Sequence, residues 1–74
     1  MPFRLEVRLT PADVGARVVI RWRRAGAAGD EVTDVLGILE ASDDSAFSVR
    51  TARGDLVVVP RERALAGKIV PSAR

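Results

Sequence analysis

Five short stretches of alternating apolar and polar residues constrain this chain more than any other feature of its sequence. They lie at residues 17–23, 32–41, 47–51, 56–59 and 65–70, so that a new stretch begins about every ten residues. A period of two indicates a strand that buries one face, and short strands at regular spacing predict a small barrel or sandwich. Residues 3–8 alternate in the same way, and the sequence leaves their place in the strand order open.

The segments between these stretches predict turns. At residues 10–15, Thr10 can cap a single helical turn and Pro11 suits its first position. Asp13 can complete a capping box, and Gly15 can end the turn. Residues 25–30 are small and glycine-rich, which predicts a flexible loop. Residues 61–64 are just long enough for one 3₁₀ turn before the last strand.

Two residues inside the predicted strands bear on packing. Gly37 lies in the middle of its strand, a position that usually marks a bulge or a sharp bend. Trp22 alternates with Val18 and Ile20 on one face of its strand. As the only tryptophan in the chain, it is predicted to be buried at the centre of the core.

These elements predict an all-β fold in one domain, residues 1–74, since a chain of 74 residues has room for no more. SH3-like, OB-like and Sm-like barrels all fit this length. The single turn before the fifth strand favours an SH3-like barrel of about five strands. Residues 71–74 resemble the start of a linker.

The chain contains no histidine and no cysteine. It therefore lacks the commonest general base, the commonest metal ligand, thiolate chemistry and disulfides. We interpret Asp43 and Asp44 as a polar turn and the acidic residues 30–34 as a solvated edge, although carboxylates can also serve acid–base chemistry or bind a cation. We expect no enzymatic activity, no cofactor and no metal.

No stretch reaches the roughly 18 apolar residues that a membrane helix needs, and residues 1–4 lack a signal-peptide core. We therefore expect a cytoplasmic protein that does not associate with a membrane.

Charge is unevenly distributed along the chain. Residues 1–24 carry a net charge of +4, residues 25–44 carry −6 without a single base, and residues 45–74 carry +4. The total of +2 is too small to indicate nucleic acid by itself. The segregation tells more than the total, because opposite charges on separate segments can meet within one molecule or between two.

An arginine-rich stretch is the candidate contact site. Arg17, Arg21 and Arg23 are predicted to project from one side of a strand, and Arg24 follows them. A row of guanidinium groups can follow a phosphate backbone, with Arg50 and Arg53 as further candidates. The same arginines can instead form an outer face that pairs with the acidic second strand. The sequence favours the second interpretation without excluding the first.

Several segments of the chain resemble a known family. They lie at residues 14–23, 33–39, 47–51, 56–60 and 64–71. Their order is similar to the SH3-like domain at the N-terminus of certain bacterial GNAT-family N-acetyltransferases, some of them described as histone acetyltransferase-like. The resemblance covers about residues 13–71. It implies a barrel that precedes an acetyltransferase domain, with residues 68–71 leading into a linker.

The loop that holds the acetyl-CoA pyrophosphate in that family is not found here in a strand-to-helix context. The resemblance therefore implies an accessory module without the catalytic domain. Such a module would dock on a catalytic domain or a partner protein through exposed loops, above all residues 24–34. Two alternatives remain open: a nucleic-acid-binding barrel that uses Arg17, Arg21, Arg23 and Arg24, and a barrel that self-associates through its acidic middle and basic ends.

Overall fold

The computed structural model of the protein describes residues 7–71. The elements in this range are a first 3₁₀ turn (Pro11–Asp13), β1 (Arg17–Gly26), β2 (Gly29–Ser42), β3 (Ala46–Arg50), β4 (Leu56–Pro60), a second 3₁₀ turn (Arg61–Arg63) and β5 (Ala64–Ile69). The strands form one antiparallel sheet in the order β4-β3-β2-β1-β5. The predicted all-β fold, with a helical turn near the N-terminus and a 3₁₀ turn before the last strand, is confirmed.

The first turn forms as its sequence predicts. The backbone N–H of Thr10 donates to the Asp13 carboxylate at 2.8 Å, which is one half of a capping box. Gly15 follows with a φ of 99°, in the left-handed region that favours glycine. Its N–H donates to the Leu39 carbonyl at 2.7 Å, and this bond ties the turn to β2.

One hydrophobic core lies against the inner face of the sheet. Its members are Leu9, Val18, Ile20, Val35, Leu39, Phe47, Val49 and Val59. Phe47 is the largest fully buried side chain. Trp22 packs against this cluster but is only half-buried, so the prediction of a core centred on Trp22 is wrong. The pairing of β1 with β5 ends at Trp22 and Ala64, which places the indole at the rim of the core.

β2 changes register where it passes from β1 to β3. Leu39 pairs with Val49 and Ala41 with Ser48, so Glu40 is the extra residue of a β-bulge. A bulge of this kind bends its strand and increases the local twist, which helps a sheet to curl around a core. The sequence predicted an irregularity at Gly37, three residues earlier. Gly37 instead lies where the backbone of Arg50, at the end of β3, comes close to β2.

The chain segment before the first turn lies along the outer edge of β5. Val7 forms a parallel bridge with Gly67, and the Arg8 N–H donates to the Gly67 carbonyl at 2.9 Å. Leu9 then enters the core and is 5% exposed. The strand-like stretch predicted at residues 3–8 thus has a place next to β5 for its last two residues; residues 3–6 lie outside the described range.

β1 and β2 extend beyond the rest of the sheet as a two-stranded arm (residues 23–32). The ladder runs without interruption to the pair Gly26–Gly29, which flanks a two-residue turn. Gly29 has a φ of 118°, which the turn requires and which most other residues adopt only with strain. The flexible loop predicted at residues 25–30 is therefore wrong. Glycine-rich composition is also typical of a tight hairpin turn, and here the turn is what forms.

Candidate interaction surface

The structure separates the four arginines predicted as a contact site. Arg17, Arg21 and Arg23 are exposed on the outer face of β1, as the alternation predicts, with Val19 between the first two. Arg24 is exposed on the arm and belongs to the opposite face of the strand. Three of the four residues therefore share a surface.

Arg21 is already paired within the molecule. It lies opposite Asp34 in the β1–β2 register, and its Nε and Nη2 donate to the two carboxylate oxygens at 3.0 and 3.3 Å. The hydrogen bond from Arg21 lowers the pKa of Asp34, and the same bond raises the pKa of Arg21. About half of each side chain remains exposed. The pair therefore neutralises the charge of Arg21 but contributes little to the stability of the fold.

Two further ion pairs also join a basic residue to an acid of residues 25–44. Arg50 of β3 donates to both carboxylate oxygens of Glu40 at 2.9 and 3.1 Å and lowers its pKa. Arg63 lies 3.4 Å from Asp30. In all three pairs, the base comes from a basic end of the chain and the acid comes from the acidic segment at residues 25–44. The charge segregation is therefore compensated, in part, inside one molecule.

Three of the predicted arginines keep their charge available. Arg17, Arg23 and Arg24 make no ion pair with residues 7–71. They are spread along β1 and the arm, and the paired Arg21 stands between them. The row of guanidinium groups that would follow a phosphate backbone is thus interrupted at its centre.

The acidic residues near the β2–β3 connection form a turn. One carboxylate oxygen of Asp43 accepts from the N–H and hydroxyl of Ser45, both at 2.8 Å, and from the N–H of Ala46 at 2.9 Å. These bonds, led by the backbone bond from Ser45, lower the pKa of Asp43. The interpretation of Asp43 and Asp44 as a polar turn is confirmed for Asp43. Over residues 7–71 no three carboxylates or other ligand side chains come together as a possible metal site.

The outer face of the sheet carries an apolar surface that the sequence analysis missed. Leu36 and Ile38 of β2 are 44% and 42% exposed, and half-buried Val19 pairs with Leu36 across the strands. We call these three residues the outer strip. The outer face of an antiparallel sheet is commonly polar, so exposed leucine and isoleucine there depart from the usual pattern. The apolar run at residues 35–39, in which alternation fails, was the available signal.

Charged side chains border the outer strip. The Arg21–Asp34 pair flanks one end and the Arg50–Glu40 pair the other, since all four residues lie on the outward positions next to the strip. Arg17 is opposite Ile38, and Lys68 is opposite Val19. Arg17 and Lys68 form no ion pair among the described residues, so the border has an excess of positive charge.

Five antiparallel strands around one core, introduced by a short turn and with the last strand returning to β1, define a small β-barrel domain. A family model described as the Rv0428c N-terminal Sm-like domain matches residues 12–68, and the chain belongs to this family. Among the three small barrels considered from the sequence, the family is thus Sm-like. The match carries no information about an acetyltransferase. No curated protein and no solved structure matches the chain.

The part of the chain that the structure describes contains no helix long and apolar enough to cross a membrane.

Proposed function

We propose that this chain is a non-catalytic interaction module of the bacterial cytoplasm that binds a protein partner through the outer strip. The observation that carries this proposal is the exposure of Leu36 and Ile38 on the outward positions of a central strand. Apolar side chains grouped on a folded surface commonly mark a contact with another protein. Sm-like domains commonly mediate contacts with proteins or nucleic acids, which supports a binding role in general.

The border of the outer strip indicates the chemistry of the partner. Arg17 and Lys68 add uncompensated positive charge beside the strip. A complementary surface would present one or two apolar side chains to Leu36 and Ile38, with carboxylates placed toward Arg17 and Lys68. Complementary charge at the rim of such a contact contributes more to specificity and association rate than to affinity.

The partner that we propose is an acetyltransferase domain, either in the same polypeptide or as a separate protein. Support comes from the resemblance of residues 13–71 to SH3-like domains that precede GNAT acetyltransferases. The family description refers to an N-terminal domain, which supports a further domain after the barrel without specifying its kind. The lack of histidine and cysteine in the whole sequence supports a non-catalytic role for the barrel itself.

The first step of the test is to read the DNA downstream of the codon for Arg74. If it encodes an acetyltransferase domain, that domain is produced separately and titrated into the methyl-labelled barrel, with chemical shifts followed by NMR. We expect the methyl signals of Leu36 and Ile38 to shift. Leu36→Asp should weaken binding at least about tenfold, because the new carboxylate would be buried in an apolar contact.

Val32→Asp is the matched control. Val32 is 55% exposed on the arm, away from the outer strip, so this change should leave the affinity unchanged. A downstream sequence without an acetyltransferase domain would contradict a partner in the same polypeptide and leave only a separate acetyltransferase. Binding that is unaffected by Leu36→Asp would contradict the proposed surface.

A further inference from the structure

The β4 edge (residues 56–60) is an open side of the sheet. β4 pairs with β3 on one side, and within residues 7–71 no strand pairs with its other side. Successive residues of an antiparallel strand point their backbone groups alternately toward and away from the partner strand. Two bonds set the phase here: the Thr51 N–H donates to the Asp55 carbonyl at 2.9 Å, and the Arg61 N–H donates to the Ser45 carbonyl at 2.8 Å.

It follows that Val57 and Val59 face β3 with their backbone groups, whereas Leu56 and Val58 face outward. The outward N–H groups of Leu56 and Val58 have no acceptor among the described residues. Their side chains are 46% and 51% exposed. Residues 56–59 are all apolar, so this stretch has none of the charged side chains with which sheet edges usually prevent pairing. Pro60, which faces outward in the same phase but has no N–H, ends the stretch that can pair.

The opposite edge of the sheet is not open in this way. Val7 and Arg8 lie against β5 at Gly67, and Leu9 anchors their segment in the core. An incoming strand would have to displace this segment before it could pair along the middle of β5. A head-to-tail chain of barrels, in which β4 of one copy adds to β5 of the next, is therefore obstructed.

We infer that the β4 edge pairs with the β4 edge of a second copy of this chain, in an antiparallel two-fold dimer. Between copies of this chain, the open β4 edge pairs with another β4 edge because the β5 edge is occupied at Gly67, and such an interface closes at two copies. With the two-fold axis beside Val57, Leu56 of one copy faces Val58 of the other. The outward N–H groups at both positions of both copies then donate to the outward carbonyls across the axis.

This dimer differs from the electrostatic self-association considered from the sequence. Residues 56–59 carry no charge, and the ion pairs Arg21–Asp34, Arg50–Glu40 and Arg63–Asp30 are made within one copy. The dimer is also independent of the proposed function, because the outer strip lies on β1 and β2 whereas the contact between copies lies at β4.

Sedimentation equilibrium of the full chain from about 10 μM to about 1 mM tests the inference. We expect a species of twice the 8.0 kDa mass that dissociates on dilution. Val58→Pro removes an N–H that points away from β3 and leaves the β3–β4 ladder intact. It deletes two donors per dimer and should raise the dissociation constant at least about tenfold. Leu56→Lys provides a second variant, with a charge at the edge that opposes pairing and no demand on the backbone.

Leu36→Lys is the matched control and should leave the dimer unchanged, since Leu36 lies on the outer strip. Circular dichroism checks that each variant is folded. The inference is overturned if the wild-type chain stays monomeric at the highest concentration. It is equally overturned by masses that grow beyond the dimer, or by a dimer that the folded Leu56→Lys variant forms as tightly as the wild type does.

Discussion

The backbone of Gly37 in β2 lies directly against the carbonyl group of Arg50 in β3. A Cβ atom built on Gly37 would collide with the Arg50 carbonyl oxygen and would also lie 3.0 Å from a methyl group of Val49. The obstacle is mainly backbone, which cannot rotate away as the end of a long side chain can. The absence of a Cβ at Gly37 is thus what allows the end of β3 to lie this close to β2.

Gly37→Ala should lower the free energy of unfolding by about 3 kcal/mol, because the extra methyl group overpacks a site bounded by backbone. Urea denaturation followed by circular dichroism measures the change. Ile38→Ala, on the exposed face of the same strand, is the control and should cost about 1 kcal/mol or less. Equal losses of stability in the two variants would show that the contact between Gly37 and the Arg50 carbonyl is not close enough to exclude a methyl group.

Trp22→Phe should leave the free energy of unfolding within about 1 kcal/mol of the wild type. The indole N–H of Trp22 is enclosed and finds no acceptor among residues 7–71. Phenylalanine loses some apolar contact but also removes this unsatisfied donor, and the two effects oppose each other. Trp22→Ala, which loses the whole ring, should cost about 2 kcal/mol or more. Denaturation followed by far-ultraviolet circular dichroism compares the two variants. Equal losses of stability would show that removing the unsatisfied N–H does not offset the lost apolar contact.

The stability of the fold should decrease in acid. The pKa values of Asp34, Glu40 and Asp43 are lowered in the folded chain from ordinary values of 3.8, 4.5 and 3.8. A carboxyl group whose pKa is lowered by folding stabilises the fold above its ordinary pKa. That contribution is lost as the pH falls through the lower native value. We therefore expect a stability that is level above about pH 5 and declines from about pH 4.5 downward.

Urea denaturation at a series of pH values measures this decline. Asp43→Asn should make it shallower, because Asp43 accepts three hydrogen bonds in its turn. Asp44→Asn is the neighbouring control, since the Asp44 side chain makes no hydrogen bond with the described residues. If both variants retain the full wild-type slope, the turn at Asp43 is not a source of the acid sensitivity.

Short single-stranded RNA should not bind saturably at about 0.15 M salt. Arg21, at the centre of the arginine row, is neutralised by Asp34, which leaves Arg17, Arg23 and Arg24 as separate charges along β1 and the arm. Fluorescence anisotropy with a labelled oligonucleotide measures binding at this salt concentration and at a lower one. A complex that survives at the higher concentration and is lost in an Arg17→Ala, Arg23→Ala variant would favour the nucleic-acid alternative over the proposed function.

Much of the fold could be predicted from the sequence, because its strands each bury one face. Predicted and observed strand limits at β3, β4 and β5 agree to within one residue at each end. The predictions were wrong where the same local sequence is compatible with two different structures. The small residues near Gly26 and Gly29 form a tight turn rather than a loose loop, and the depth of Trp22 depends on where the β1–β5 pairing ends.

The candidate surface was less predictable. Alternation correctly placed Arg17, Arg21 and Arg23 on one face, and charge segregation indicated pairing with the acidic second strand, which Arg21 and Asp34 confirm. The outer strip was missed because a run that is apolar on both faces can be buried on both. Only the strand order shows that no layer among residues 7–71 covers Leu36 and Ile38.

The arm at residues 23–32 is held by a continuous backbone ladder and a tight turn. The backbone that carries its charged side chains is therefore already ordered in the absence of a ligand. Fixing a free backbone costs about 1–2 kcal/mol of conformational entropy per residue. A partner that bound this arm would be spared most of that loss, because a segment with the composition of a flexible linker is here an ordered hairpin.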